Sequence, residues 1–155
     1  MYSVDTSSLI FAWSEHYPIA HFPRFWNAMD QLITDKRVFA PDEVLNECSK
    51  RDEDLHNWLK DRGQMFVPLE EPIQIRHREI LAKFPQLVDA RKTHFAADPW
   101  VIALALERGL TIVTEERPTG NAQRPNIPDV CNDEQFTIPC INMLALIKAE
   151  KWVLG

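Results

Sequence analysis

Between Asp98 and Glu116 the sequence DPWVIALALERGLTIVTEE places carboxylates at both ends of a helix-turn-strand unit. Asp98 is suited to cap a helix, Pro99 to be its first residue, Gly109 to end it, and the β-branched run Thr111–Val113 to form a strand. A helix of that length belongs to a compact α/β unit and not to a rod. The strand then returns Thr114, Glu115 and Glu116 toward the point where Asp98 opens the helix. Acids gathered in this way repel one another, and such a cluster is usually held by a cation.

The same grammar opens the chain. Tyr2–Val4 reads as a short strand ending in Asp5, followed by a helix over Ser7–Trp13. Next, Arg37–Ala40 reads as a strand, Pro41 starts a helix, and Glu43 and Glu47 stand four apart on one face of it. Ligands of open parallel sheets sit at the carboxyl ends of strands, so these acids fall where function is expected. Further strands are expected at Met65–Val67 and Gln135–Ile138, and helices at Phe25–Thr34, Pro41–Arg62, Pro72–Lys83 and Ile141–Glu150. This alternation predicts an α/β fold of three layers, with a mainly parallel central sheet flanked by helices, in one domain spanning residues 1–155.

The order Asp5, Glu47, Asp98 and Thr114-Glu115-Glu116 resembles the PIN domain, the nuclease fold of VapC-type toxins. That family has an early strand-end Asp, a Glu in the helix after the second strand, an Asp opening a later helix, and a Thr-x-acid after the fourth strand. Val4–Ser7, Pro41–Glu47 and Ala97–Ala105 carry the likeness, with Glu116 standing where many PIN domains have Asp. Tyr17-Pro18, Phe22-Pro23, Trp26 and Ile127–Cys131 further resemble a bacterial PIN subfamily with no settled functional name. The resemblance implies a sheet with the first strand central. It also implies a metal-dependent ribonuclease, the toxin of a toxin–antitoxin pair, which acts on RNA, dimerises and is neutralised by a small antitoxin protein.

Mg²⁺ or Mn²⁺ is the expected cofactor, held by Asp5, Asp98, Glu116 and Glu47, because hard cations prefer carboxylate oxygen. Thr114 is expected to hydrogen-bond a carboxylate or a metal-bound water, and the chemistry is phosphodiester hydrolysis without a covalent protein intermediate. Glu43, Glu115 and Asp129 are further candidates, the last as an acid of the long Arg117–Asp129 loop. For Asp5 or Asp98 taken alone, helix capping is the simpler role. A degenerate PIN-fold binding module and a Mg²⁺-dependent phosphatase are the competing functions. A haloacid-dehalogenase-like phosphatase needs a second Asp two positions after the first, where this chain has Ser7.

Composition sets the remaining bounds. With 45% hydrophobic residues, the chain is rich enough to bury a core. It has no apolar run long enough for a transmembrane helix and no secretory leader pattern, so a cytoplasmic protein is expected. Cys48, Cys131 and Cys140 lack zinc-site spacing and are expected as reduced, partly buried thiols. The net charge of −6 bears on solubility and long-range steering, not on whether a local site grips phosphate. Basic groups cluster at Lys36-Arg37, Lys50-Arg51, Arg76-His77-Arg78 and Arg91-Lys92 with His94; an ordinary solvated surface is the simpler role for each, and phosphate contact by the last group, just before Asp98, is the alternative. The aromatics from Phe11 to Trp26 are expected mainly in the core.

Overall fold

In the computed structural model, which describes residues 1–88 and 97–155, five short strands form one parallel sheet. They are β1 (Tyr2–Val4), β2 (Val38–Pro41), β3 (Phe66–Val67), β4 (Thr111–Val113) and β5 (Cys140–Ile141), in the order β3-β2-β1-β4-β5. The first strand is central, as the resemblance implies. Helices α1 (Thr6–Phe11), α2 (Pro23–Thr34), α3 (Asp42–Arg51) and α4 (Glu53–Lys60) lie between β1 and β3 in the chain. Helices α5 (Glu71–Lys83), α6 (Asp98–Arg108), α7 (Ile127–Cys131) and α8 (Met143–Ala149) follow.

The path across the sheet reverses after β3. Because parallel crossovers are right-handed, this reversal sends α1–α4 to one face and α5–α7 to the other. It also creates a switch point between β1 and β4, whose carboxyl ends border the crevice where open α/β sheets bind ligands.

Helix α6 lies beside that crevice for a compositional reason. Val101, Ile102, Ala103, Leu104 and Ala105 are all buried, and a helix apolar around so much of its surface must be covered on several sides. The sheet covers one side, and α5 and α7 cover others. Ser3 in β1 adds a polar link, its Oγ donating to the Val101 carbonyl at 3.0 Å. Gly109 ends the helix with φ 67°, a left-handed conformation that suits glycine.

Several boundaries depart from the sequence reading. Asp98 is not a cap: Ala97 occupies the cap position, and Asp98 is the first helical residue. The helix expected over Pro41–Arg62 is two helices, because Asp52 is extended at φ −153° and caps α4 by accepting the Leu55 N–H at 3.1 Å. The strand expected at Gln135–Ile138 is displaced to Cys140–Ile141. Asp133 instead organises a turn there, accepting the Gln135 N–H, and Thr137 has φ 46°, which no strand residue adopts. Helix α1 runs on into a π-helical turn, Ala12–His16.

Phe25 and Trp26 are buried, Trp13 and Trp58 both pack edge-on against Trp26, and Trp13 and Tyr17 pack against the core, so most of the aromatic stretch serves the core. All three cysteines are free; Cys48 and Cys131 are buried and Cys140 is half-buried. Among the described residues, no helix is long and apolar enough to cross a membrane.

Candidate metal centre

Asp5 follows β1 directly, and its backbone N–H extends the pairing with β4 by donating to the Val113 carbonyl at 3.1 Å. Its side chain caps α1, Oδ1 accepting the Ser8 N–H at 2.8 Å. The second oxygen, Oδ2, accepts from the Ser7 hydroxyl at 2.8 Å and from Thr114 Oγ1. Asp5 therefore caps a helix and also faces the crevice.

Three carboxylates converge there. One oxygen from each of Asp5, Asp98 and Glu116 lies within 4.8 Å of the others, and Asp5 and Asp98 are buried while Glu116 is half-buried. The sequence separates them widely, but the switch point brings the end of β1, the start of α6 and the residues after β4 together. Glu116 reaches the group despite its longer side chain. Its N–H donates to Thr114 Oγ1 at 3.0 Å, and its Oε1 accepts the Ile127 N–H from the start of α7 at 3.0 Å.

Glu47 stands beside this trio. It is buried on α3, with Oε1 accepting from Thr6 Oγ1 and Oε2 from the Ala97 N–H, both at 3.3 Å. Thr6 adjoins Asp5 and Ala97 adjoins Asp98, so Glu47 ties the two acid-bearing helix starts together. Glu43 has neither contact.

The electrostatics are those of mutually hostile groups. Burial, with the Glu116 charge adding to it, pushes the Asp5 carboxyl up to about 6 against the hydrogen bonds it accepts. Burial likewise pushes Glu47 up to about 7. Asp98 is raised well above the usual range by burial and by the charges of Glu116, Asp5 and Glu47. The three-carboxylate set is all oxygen, which fits a hard cation such as Mg²⁺ or Mn²⁺.

The remaining candidates fall elsewhere. Asp129 does not fold over the site: its carboxylate accepts the N–H groups of Thr119, Gly120 and Asn126, forming a capping box at the start of α7 and closing the preceding loop. Glu115 turns away from the trio and accepts the Met143 N–H at 2.9 Å. Arg37 pairs with Glu150, and Arg76 with Glu79 and Glu107. Arg91, Lys92 and His94 lie outside the described residues. The sequence reading passed over Thr6 and Ser7 as partners of the acids. A run of hydroxyl residues directly after a strand-end acid was the available signal, since each can donate to a carboxylate at a helix start.

These features define an α/β protein of PIN-like fold whose switch point gathers acids. A similar solved structure is a chain of VapBC2 from Rickettsia felis, crystallised bound to a DNA fragment from their promoter; it matches with a TM-score of 0.55 at 17% identity, over 91% of this chain and 97% of that one. The chain belongs to the DUF4411 family, described as a domain of unknown function, whose family model matches residues 2–154. No curated protein sequence matches it.

Proposed function

We propose that this protein is a metal-dependent endoribonuclease that hydrolyses RNA phosphodiester bonds, and that it is the toxin of a toxin–antitoxin pair. The observation that carries the reading is the convergence of Asp5, Asp98 and Glu116 within 4.8 Å at the switch point of a PIN-like fold. Structural likeness to a chain of VapBC2 supports the toxin assignment and, with it, a small protein antitoxin as partner.

In this reading Asp5, Asp98 and Glu116 hold Mg²⁺ or Mn²⁺, and Glu47 braces the site and contributes negative charge. When bound, the metal would orient and acidify a water and stabilise charge developing on the phosphate. Thr114 and Ser7 donate to Asp5 Oδ2 and so fix the direction of its carboxylate. Ser7 sits where a phosphatase of the haloacid dehalogenase type would carry its second Asp, which favours the nuclease over that alternative.

The test is cleavage of single-stranded RNA with Mg²⁺ or Mn²⁺, with a chelator control and the variant Asp5→Asn. Asn retains the capping oxygen, so the fold should persist while cleavage falls by about 100-fold or more. A folded wild-type protein without metal-dependent cleavage would leave the PIN-fold binding module as the better reading.

A further inference from the structure

Beside the acid trio, on the β5 side of the crevice, lies a groove of about 550 Å³ whose lining includes Glu15, His16, Tyr17, Glu115, Arg117 and Asn142. Glu115 and Arg117 flank Glu116 in the chain, and the Glu115 N–H donates to Ser7 Oγ, which in turn donates to Asp5. Groove and acids therefore share one wall. The groove is also lined from the end of α1, where the π-helical turn Ala12–His16 carries Glu15 and His16 and leads into Tyr17. Such turns within α-helices recur at functional sites.

Tyr17 is held rigidly. Its ring stacks on Phe25 at 4.6 Å and 11°, and its carbonyl accepts from Trp26 Nε1 at 2.7 Å. Burial, and then the Glu115 charge, raise its hydroxyl above the usual range, so it stays neutral and able to donate. Glu115 spends one oxygen on the Met143 N–H and keeps the other. Asn142 spends its carbonyl oxygen on the Ala145 N–H and keeps its amide donors. The groove thus offers carboxylate acceptors at Glu15 and Glu115, and donors at Tyr17, Asn142 and Arg117.

Its charge selects among the parts of a nucleotide. Two carboxylates against one guanidinium disfavour a phosphate in the groove itself, but suit a neutral base presenting N–H groups. Guanine is the common base whose pairing edge offers adjacent N1–H and N2–H donors, which match the two oxygens of a carboxylate such as Glu15, with Glu115 adding its one remaining acceptor oxygen. A volume of 550 Å³ falls within the range of small-molecule sites.

We propose that this groove is a base-recognition subsite, taking guanine from the nucleotide next to the scissile phosphate. The proposal rests on the nuclease reading above for the position of that phosphate, but not for base binding itself.

The test uses hexauridylate and its counterparts carrying one central G, A or C. Binding is read by fluorescence anisotropy without metal, and cleavage with Mn²⁺, for the wild type, Glu15→Gln and Glu115→Gln. Glu15 is exposed, so its variant keeps the fold whatever Glu115→Gln does. The wild type should favour the G strand by about tenfold, and each folded variant should bring the ratio to about twofold or less. A G preference in binding that the variants erase, without cleavage by any protein, sinks the nuclease reading and supports the subsite. Cleavage with no base preference, or with a preference that Glu15→Gln leaves intact, overturns the subsite and leaves the nuclease standing. Neither binding nor cleavage overturns both.

Discussion

Asp98 and Asp129 both sit in the first turn of a helix, and their surroundings are opposite. Asp129 is enclosed by N–H donors from Thr119, Asn126 and Gly120, which outweigh its partial burial and hold its carboxyl below the usual range. Asp98 is buried against Glu116, Asp5 and Glu47, and is pushed well above that range. One acid is satisfied by the protein alone, and its loop is shaped by it. The other is left with unfavourable neighbours, which a folded chain tolerates only where something else compensates. Glu150, at the far end of the sheet, is of the first kind: Arg37 and the Tyr2 hydroxyl hold it in the charged form. A carboxylate's partners, and not its position on a helix, separate the acids the protein satisfies by itself from those it leaves among like charges.

The sharpest way to break this comparison is pH. Because Asp5 is raised from 3.8 to about 6, the folded state holds a proton that the unfolded chain has lost between those values. Without metal, the contribution of Asp5 to stability is therefore lost as pH climbs from about 4 to about 6, and stays lost above. Asn does not titrate, so Asp5→Asn should gain on the wild type by about 3 kcal/mol between pH 4 and pH 7, read by urea unfolding in chelator. A difference that stays flat with pH would show that neither burial nor the Glu116 charge raises the Asp5 carboxyl in the folded state.

Metal should act on the same trio with slightly smaller effect. Mg²⁺ or Mn²⁺ at about one hundred times its dissociation constant should stabilise the fold by about 2.7 kcal/mol at neutral pH, seen as a rise in Tm. Asp98→Asn should remove most of that rise. An unchanged wild-type Tm in millimolar metal would count against a shared site.

The smallest effect belongs to the satisfied acid. Asp129→Ala removes the capping box and its loop hydrogen bonds, and should cost about 1–2 kcal/mol in thermal unfolding. The metal-induced rise in Tm should survive it. If Asp129→Ala abolishes that rise, the loop takes part in the site more directly than its hydrogen bonds imply.

Much of this arrangement was legible along the chain. Asp5 as a cap, Gly109 as a helix end and the parallel α/β alternation follow from local rules that act over a few residues. The split at Asp52 and the shift of β5 were missed for the same reason in reverse. Helical propensity runs straight through Asp52, and the β-character of Gln135–Ile138 is overruled by the turn around Asp133. Glu47 illustrates the mixed case: its spacing from Glu43 placed both on one face, the resemblance favoured Glu47, and in the structure it is Glu47 that contacts Thr6 and Ala97.

What the sequence determined by itself is therefore the set of local elements and the acids at their ends, since caps, turns and hydrophobic periodicity depend on neighbours in the chain. Which of those acids meet was decided by tertiary structure. The reversal of strand order between β1 and β4 brings residues 5, 98 and 116 into one crevice. Burial there removes the water that would otherwise screen them. Neither the crossing of the chain nor the loss of solvent is written in any short stretch of residues, and together they make three scattered carboxylates a candidate site while leaving Asp129 a cap.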